Sequence, residues 1–347
     1  MNSTHAAFVV PIKLENHPNA DSLSIVRFDG FTMIVRTEDW IGVKKGIHIQ
    51  PDSIVDTTRP EFSFLADPKR PSKTKFKVKV KKMRGIISYG VLIPLEEGVA
   101  GEIGEDFAER LGVEHYEPPL QFKTSTNNVS APPGYFTKYD IDNIRKYNKV
   151  FKEGELVNCT EKIHGAFFRC VFSSEKDCMY VGSRTQWKAD EDSCLWWKAF
   201  RKYPQIEQFC RDYPDWILNG EIYGQVQNLK YGKTGVDFAA FDIRRPDSSW
   251  CIPENFIIMC HLRDIPTVPV LANMFFFNFE KILEMSNGPS LVEGADHYRE
   301  GCVVKPMIER TDDKIGRVIL KCVGEDYLSG KNSSKKNKEI KGFKNEN

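Results

Sequence analysis

Short runs of alternating or β-branched apolar residues recur through roughly the first 115 residues, separated by turn-forming residues. An apolar residue at every second position is the pattern of a strand with one buried face. Several short strands in so little chain are typical of a small β-barrel. The predicted strands are residues 8–14, 23–28, 31–36, 46–50, 76–80 and 88–94.

After residue 135 the pattern changes to mixed α/β. Apolar residues at helical spacing predict a short helix over 140–147 and a longer one over 193–213. We interpret the large apolar side chains of the longer helix as core or interdomain packing rather than a base-stacking platform: Trp196, Trp197, Phe200, Ile206 and Phe209. The predicted strands are 156–158, 166–172, 216–223, 238–243, 301–306 and 317–323. The fold class is therefore α+β.

The segment from 117 to 134 is rich in Pro, Ser, Thr and Asn and has little to bury, which predicts a linker. A chain of 347 residues is long enough for two domains with separate cores. We therefore expect a barrel domain in residues 1–117, a linker in 118–134 and a mixed α/β domain in 135–330. The tail, 331–347, is rich in Lys, Asn and Ser, and we expect it to be disordered.

Charge is balanced overall, with 49 basic and 48 acidic residues, so binding to nucleic acid must depend on local clusters. Every charged residue from 69 to 84 is basic. Between 75 and 81 lysines alternate with apolar residues, which places them on one strand face while Phe76, Val78 and Val80 enter the barrel core. Such a stripe can follow phosphates; alternatively, lysines on an edge strand prevent aggregation. The predicted RNA contacts are Lys75, Lys77, Lys79, Lys81, Lys82 and Arg84.

Nothing in the chain predicts a membrane span or a secretory signal, because no apolar run approaches roughly 18 residues and the N-terminus lacks a basic start. The nine cysteines all follow residue 158 at irregular spacings without a Cys-x-x-Cys pair, which favours a reducing compartment and small core thiols over disulfides or zinc. We expect a monomeric intracellular protein, and the sequence does not distinguish cytoplasm from nucleus.

The chemistry-bearing segment is Thr-Glu-Lys-Ile-His-Gly at 160–165, centred on Lys162. Alone, Lys-x-x-Gly is a common surface turn. Five further segments follow in order: 181–184, 219–224, 238–243, 300–306 and 319–321. This order resembles the motifs of covalent nucleotidyltransferases, the ATP-dependent polynucleotide ligases and capping enzymes. The resemblance predicts a nucleotidyltransferase (adenylation) domain in which Lys162 becomes covalently attached to AMP.

The resemblance also implies roles for other residues. Lys305 and Lys321 would act with Lys162 in catalysis, and Glu300 would bind Mg²⁺ or Mn²⁺. Glu221 would hydrogen-bond the ribose hydroxyls and Phe241 would stack on adenine, while Arg184 would contact the sugar or the 5′-phosphate end. The implied ATP-binding set is Glu161, Lys162, Ile163, His164, Gly165, Arg184, Glu221, Phe241, Lys305 and Lys321.

These residue types suit the reaction. A free lysine has a pKa near 10.4, whereas attack on the α-phosphate of ATP requires the neutral amine. Nearby cations, here Lys305, Lys321 and a divalent metal, lower such a pKa and offset charge on the departing pyrophosphate. A carboxylate such as Glu300 supplies the hard oxygen that Mg²⁺ and Mn²⁺ prefer.

Two features indicate RNA. His164 stands where DNA ligases and capping enzymes usually have Asp, a substitution typical of ligases that seal nicks in duplex RNA. Segments 17–23 and 83–92 resemble the signatures of the tRNA-binding OB module of aminoacyl-tRNA synthetases, although the same residues could simply shape turns and barrel corners. An OB domain ahead of the catalytic domain resembles a smaller group of RNA ligases. We therefore expect an ATP-dependent RNA ligase that joins 3′-OH and 5′-phosphate ends.

One departure concerns the fifth motif, which usually presents two lysines with one residue between them. Here Lys321 stands alone, so Arg317 or a displaced lysine substitutes, or one phosphate contact is missing. The alternatives to an RNA ligase are an mRNA-capping guanylyltransferase, a DNA ligase, or an RNA-binding protein without catalysis.

Overall fold

The computed structural model describes residues 7–95, 98–116, 127–135, 139–329 and 332. The chain divides into two compact units. The first consists of residues 1–118 together with 144–148, and the second of 119–143 and 149–347. Residues 119–134 of the predicted linker group with the second unit, and 144–148, which were predicted in the C-terminal domain, group with the first.

The N-terminal unit consists mainly of short antiparallel strands. They are β1 (Ala7–Pro11), β2 (Leu14–Asn16), β3 (Leu23–Phe28), β4 (Phe31–Arg36), β5 (Lys45–Ile49), β6 (Ser53–Asp56), β7 (Lys75–Lys77), β8 (Val80–Met83), β9 (Ile86–Tyr89), β10 (Val91–Pro94) and β11 (Glu114–His115). Its helices are α1 (Ala108–Leu111), α2 (Ile144–Tyr147) and the 3-10 turns Thr37–Trp40 and Pro60–Leu65. The strands form open sheets in the orders β1-β5-β10, β2-β3-β4 and β11-β6-β7, plus the hairpin β8-β9.

The core of this unit collects the inward-facing residue of successive strands, as the alternation predicts. It contains Val9, Ile47, Ile49, Val55, Phe62, Val78, Ile93, Phe107 and Leu111. In the basic stripe, Val78 and Val80 are buried and Phe76 is half-buried, whereas Lys75, Lys79 and Lys81 are exposed. Lys75, Lys79 and Lys81 therefore lie outside the core that Val78 and Val80 enter.

Three predicted strands are each split in two. Residues 8–14 become β1 and β2, and 76–80 are divided between β7 and β8. Residues 88–94 are interrupted at Gly90, which has φ +106° and separates β9 from β10. A Cβ at Gly90 would lie 2.2 Å from the carbonyl oxygen of Ile49. The chain can pass this point only with glycine, a constraint that periodicity does not reveal.

The C-terminal unit contains two larger sheets. Its strands are β12 (Asn128–Val129), β13 (Asp142–Asn143), β14 (Leu156–Lys162), β15 (Ala166–Ser173), β16 (Cys178–Gly182), β17 (Trp187–Lys188), β18 (Ile217–Gly224), β19 (Val236–Arg244), β20 (Val270–Phe276), β21 (Gly301–Pro306), β22 (Thr311–Asp312), β23 (Gly316–Arg317) and β24 (Leu320–Val323). One sheet has the order β12-β17-β16-β15-β18-β19 and the other β13-β24-β21-β14-β20. Strands β22 and β23 form a separate hairpin.

The helices of this unit are α3 (Leu195–Lys202), α4 (Pro204–Asp212), α5 (Pro253–His261), α6 (Phe279–Met285) and α7 (Glu325–Leu328), with 3-10 turns at Pro133–Tyr135 and Asn148–Val150. The turn Asn148–Val150 spans the boundary, since residue 148 groups with the N-terminal unit. Helices α3, α4 and α5 contribute to one large core with the six-stranded sheet, where all five apolar side chains predicted on 193–213 are buried. Core packing is therefore their role.

Two predicted helices were wrong in extent. The helix over 193–213 is two helices, because Pro204 lacks an N–H and disfavours helical geometry at Tyr203, which has φ −127° and ψ 82°. Only 144–147 of the helix over 140–147 is helical. Asp142 and Asn143 instead pair in parallel with β24, so strand pairing overrides the local pattern.

The linker, the last predicted strand and the tail each differ in part from the prediction. Within the predicted linker, Asn128 and Val129 pair with β17. The predicted strand 317–323 is divided between β23 and β24. The predicted tail lies outside the described residues except for Asn332, whose side chain exchanges two hydrogen bonds with the backbone of Tyr298.

The cysteines are all free thiols, and eight of the nine are buried, with Cys178 exposed. The eight buried thiols therefore pack as small core residues, as predicted for most of the cysteines. Among the described residues, no helix is both long and apolar enough to cross a bilayer.

Candidate active site

Lys162 is the last residue of β14 and pairs with Gly301 at the start of β21. This register brings Lys162 beside the residue that precedes β21, and its Nζ lies 2.6 Å from Oε1 of Glu300. About a quarter of the Lys162 side chain is exposed, whereas Glu300 is largely buried. The nucleophile candidate thus lies at the end of a rigid central strand with access to solvent.

His164 continues the same cluster. Its Nδ1 lies 3.3 Å from Oε2 of Glu300, its Nε2 lies 2.7 Å from Oδ1 of Asn228, and its backbone N–H donates to the hydroxyl of Tyr231 at 2.7 Å. The imidazole is buried, with only 6 % exposure. Both ring nitrogens therefore have partners, and the side chain is held in one orientation.

Gly165 allows the chain to turn tightly after His164. A Cβ at Gly165 would lie 2.0 Å from the carbonyl oxygen of Ile222. The N–H of Gly165 also hydrogen-bonds the carboxyl group of Glu221. The glycine of the tetrapeptide is thus required by the close approach of β18, the strand that carries Glu221.

The two glutamates near Lys162 have opposite electrostatic environments. Burial, aided by the charge of Glu300 and opposed by Lys162, raises the pKa of Glu221 to about 8. Burial would also raise the pKa of Glu300, but Lys162 and His164 outweigh it and lower that pKa to about 2. Glu300 is therefore ionised at neutral pH, while Glu221 readily keeps a proton until a positive charge approaches.

Glu161 faces the opposite side of β14 from Lys162. Its carboxylate accepts hydrogen bonds from the hydroxyl of Ser290 at 2.5 Å and from the N–H of Leu291 at 2.7 Å. Only 1 % of Glu161 is exposed, and burial raises its pKa despite these bonds. Ile163 is also buried, in the apolar cluster that contains Tyr231.

Lys305 lies on β21 and is held by β19. Its Nζ donates to the carbonyl oxygen of Phe241 at 2.7 Å and lies 3.1 Å from Oδ2 of Asp242. Burial lowers the pKa of Lys305, whereas Asp242 opposes the shift. Asp242 is fully buried; burial would raise its pKa, but Arg317 and Lys305 outweigh it and keep the carboxylate ionised.

The remaining predicted residues surround this group. Phe241 is half-buried, with ring centroids of Tyr139 and Phe167 at 5.3 and 5.5 Å. Arg184 donates a hydrogen bond to Asp140 at 2.9 Å, and its positive charge acts to lower the pKa of Glu221. Lys321 is half-buried on β24, opposite Val303. The structure thus joins Lys162, His164 and Glu300 by direct contact and Glu221 through charge, while Glu161 points away.

Two family models match the chain. Residues 155–323 match the RNA ligase family, and residues 9–95 match an OB-fold domain. The C-terminal domain is therefore an RNA ligase domain. The protein is accordingly an enzyme of the class that forms phosphodiester bonds, with an OB-fold domain ahead of its ligase domain. No curated protein matches the sequence significantly.

Solved structures of the Naegleria gruberi RNA ligase resemble the ligase over nearly its whole length. The structure with pyrophosphate has 22% identity and a TM-score of 0.79, and covers 94% of this chain and 99% of that one. A lysine-to-alanine mutant with ATP and Mn has 21% identity, a TM-score of 0.78 and coverages of 93% and 98%. A lysine-to-methionine mutant with AMP and Mn has 22% identity, a TM-score of 0.76 and the same coverages. These likenesses establish the shared fold.

A divalent metal fits the carboxylates of the ligase. Mg²⁺ commonly uses one or two carboxylates and completes its shell with waters and substrate phosphates. Glu300 is ionised beside Lys162, and the neighbouring Glu221 has a raised pKa that an additional cation would lower. Glu300 is therefore the carboxylate that would hold the metal, and Glu221 lies close enough to Glu300 for its pKa to respond to charge there.

The basic stripe lies in the OB domain of the ligase, and its members differ. Lys75 pairs with Glu114 at 2.9 Å, and Lys77 pairs with Asp52 at 2.7 Å. Lys79 and Lys81 have no acidic group within 4 Å among the described residues. They line a surface cleft of about 240 Å³ that also includes Arg36, Phe64 and Met83. Lys79 and Lys81 thus line the cleft, whereas the predicted contacts Lys82 and Arg84 are exposed outside its lining.

Sequence reasoning missed four residues that hold the site: Asn228, Tyr231, Ser290 and Asp242. The first three lie in segments without apolar periodicity, and only the tertiary structure brings these segments next to the site. Asp242 stands inside the predicted strand 238–243, next to Phe241, and an acidic residue in an otherwise apolar strand was the available signal.

Proposed function

We propose that the protein is an ATP-dependent RNA ligase that seals 3′-OH and 5′-phosphate ends, with nicks in duplex RNA as its substrate. The observation that carries the proposal is the contact of Lys162 with ionised Glu300, on the domain that matches the RNA ligase family. The similar Naegleria structures contain ATP with Mn, AMP with Mn, or pyrophosphate, which supports a nucleotide at the same place.

Lys162 performs the first step. The neutral amine attacks the α-phosphorus of ATP, a P–N bond forms, the P–O bond to the β-phosphate breaks, and pyrophosphate departs. In the resting enzyme the amine is paired with Glu300 at 2.6 Å. The ammonium group, about a quarter exposed, gives up its proton to solvent before the neutral amine attacks. AMP then passes to the RNA 5′-phosphate, and the 3′-OH displaces it.

The neighbouring residues position the nucleotide. Glu221 accepts hydrogen bonds from the ribose hydroxyls, and the half-buried ring of Phe241 stacks on adenine. Arg184 contacts the sugar or the 5′-phosphate end. Lys305 and Lys321 offset charge on the phosphates, and Asp242 fixes the ammonium group of Lys305 in place. A divalent cation held by Glu300 would polarise the phosphates.

The OB domain binds the RNA. The exposed amines of Lys79 and Lys81 line the cleft and follow the phosphate backbone, and the other predicted contacts flank them. Lys75 and Lys77 must each break an ion pair to bind a phosphate, whereas Lys79 and Lys81 form no ion pair within 4 Å among the described residues.

The decisive experiment uses ATP labelled at the α-phosphate with Mg²⁺ or Mn²⁺. We expect the wild-type protein to become labelled and Lys162→Ala to remain unlabelled. Lys176→Ala, an exposed lysine paired with Glu175, is the matched control and should label normally. Undiminished labelling of Lys162→Ala would refute the lysyl-AMP mechanism, and labelling by GTP instead of ATP would favour a capping guanylyltransferase.

The substrate requires a separate test. Nicked duplexes with RNA or DNA on each side of the nick, together with single-stranded ends, should be sealed at different rates. We expect the highest rate with RNA at the nick. Preferential sealing of all-DNA nicks would favour a DNA ligase, and preference for single-stranded ends would refute nick sealing.

A further inference from the structure

The loop between β18 and β19, residues 225–235, contacts the nucleophile segment at three points. The amide of Gln227 donates to the carbonyl oxygen of Gly165 at 2.6 Å. Oδ1 of Asn228 lies 2.7 Å from Nε2 of His164, and the hydroxyl of Tyr231 accepts the backbone N–H of His164 at 2.7 Å. These contacts engage both the backbone and the side chain immediately after Ile163.

Tyr231 is held in an unusual conformation. It has φ +54° and is fully buried, although a bulky residue in the left-handed region is rare and costs about 1 kcal/mol or more. The rings of Tyr223 and His297 pack against it at centroid distances of 5.1 and 4.4 Å. The surrounding fold therefore imposes the position of the Tyr231 hydroxyl.

The loop is closed at its ends and packs closely against a neighbouring segment. Its ends are joined by a hydrogen bond from the N–H of Gln225 to the carbonyl of Gly235 at 2.9 Å. A Cβ at Gly232 would lie 2.2 Å from the carbonyl oxygen of Gly294, so the loop fits closely against the segment that leads to Glu300. The loop is thus tied both to the nucleophile segment and to the chain before its acidic partner.

We propose that Tyr231 and Asn228 are positioning residues that fix the Lys-x-His-Gly turn, and through it the amine of Lys162, for attack on the α-phosphate. The inference rests on the proposed function. A nucleophile displaced by about 1 Å can lose about 100-fold in rate while the nucleotide still binds. Loss of positioning should therefore slow lysine adenylylation at saturating ATP and leave the half-saturating ATP concentration nearly unchanged.

The test is a single-turnover measurement of protein labelling by α-labelled ATP over a range of ATP concentrations. For Tyr231→Phe, which keeps the ring and removes only the hydroxyl, we expect the maximal rate to fall by roughly tenfold or more, with half-saturation within about twofold of wild type. Tyr223→Phe is the matched control. It lies in the same apolar cluster, but its hydroxyl hydrogen-bonds Asp237 instead of the nucleophile segment.

A second variant distinguishes a loss of positioning from a folding defect. The side chain of Asn228 is exposed, so Asn228→Ala should fold normally and still slow labelling several-fold. If Asn228 acts through the imidazole, the same change should have no further effect in a His164→Ala background. Melting temperatures of all variants should accompany the rates.

The inference is overturned if Tyr231→Phe and Asn228→Ala label at rates within about twofold of wild type. It is also overturned if Tyr223→Phe loses as much as Tyr231→Phe, or if the loss lies entirely in half-saturation by ATP. If the wild-type protein takes no label, the proposed function fails instead, so the two failures are distinguishable.

Discussion

Arg317 donates a 2.6 Å hydrogen bond to the fully buried carboxylate of Asp242. The guanidinium also contacts Glu309 and lies over the ring of Trp250 at 3.9 Å. Lys305 shares the same Asp242 oxygen. Arg317 is therefore engaged by two carboxylates, which favours a supporting role for it over that of a second phosphate-binding cation in the fifth motif.

Arg317→Met should destabilise the ligase domain by about 3 kcal/mol, because removing one partner leaves Asp242 buried with less compensation. The free energy of unfolding in urea measures the loss. Arg211→Met, which breaks the exposed pair with Glu207, is the control and should change stability by less than about 1 kcal/mol. Equal effects of the two substitutions would contradict this account.

Glu300→Gln should slow lysine adenylylation on the order of 100-fold, because it removes the ionised group beside Lys162 and the proposed metal ligand. Labelling kinetics with α-labelled ATP measure the effect. The exposed Glu293→Gln is the control and should behave as wild type. A rate for Glu300→Gln close to that of the control would remove Glu300 from the mechanism.

Gly165→Ala should destabilise the protein by about 2 kcal/mol or more and abolish labelling, since the new Cβ would overlap the carbonyl oxygen of Ile222. Gly235→Ala is the control, because a Cβ there meets nothing within 4 Å among the described residues. Thermal unfolding and labelling are the two readouts. Normal labelling by Gly165→Ala would show that the close approach to β18 is not needed.

Lys79→Ala combined with Lys81→Ala should weaken RNA binding and make the dependence of log K on log salt shallower by about 1 to 2 units. Lys75→Ala combined with Lys77→Ala should have a smaller effect, because both lysines already pair with carboxylates. Binding of a nicked RNA duplex at several salt concentrations tests this difference. Equal slopes for the two double variants would show that the cleft is not the contact.

The stability of the OB domain should depend on His48, which is buried between the rings of Phe28 and Phe31 and hydrogen-bonds the carbonyl of Tyr89 at 2.7 Å. Burial lowers its pKa from 6.5 to about 4, with the Tyr89 bond opposing. Between these values the unfolded chain binds the proton and the folded domain does not. Stability is therefore full above pH 6.5 and falls by about 3 kcal/mol as the pH drops towards 4.

Urea unfolding at several pH values tests this expectation. His48→Gln, whose amide can still donate to the Tyr89 carbonyl, should flatten the dependence between pH 4 and 6.5. The exposed His261→Gln should leave it unchanged. An unaltered pH dependence in His48→Gln would show that another group is responsible.

The sequence predicted the parts of the fold that local patterns determine. The strands Leu23–Phe28, Phe31–Arg36 and Gly301–Pro306 have the predicted bounds, and other predicted strands differ by a few residues or are divided. Local patterns did not predict strand boundaries that depend on distant residues. Gly90 lies too close to the carbonyl of Ile49 for any side chain, and Asp142 is part of a strand because it pairs with β24. Boundaries set by such contacts are not encoded in periodicity.

The site was predicted to the same degree. The motifs singled out residues at strand ends, such as Lys162 and Glu300, and the structure brings these two side chains within 2.6 Å of each other. Asn228 and Tyr231, which contact the neighbouring His164, lie in a loop with neither periodicity nor a charge pattern. Their role depends on where the fold brings the loop, so only the structure reveals it.

The ion pair of Lys162 and Glu300 joins residues 138 positions apart along the chain, across the antiparallel pairing of β14 and β21. Contacts of such long range form slowly during folding, because a large loop must close before they add stability. Newly made or refolding chains should therefore acquire secondary structure before they acquire the capacity to be labelled. The time at which refolding chains become able to be labelled can therefore be used to measure when the pairing of β14 with β21 is complete.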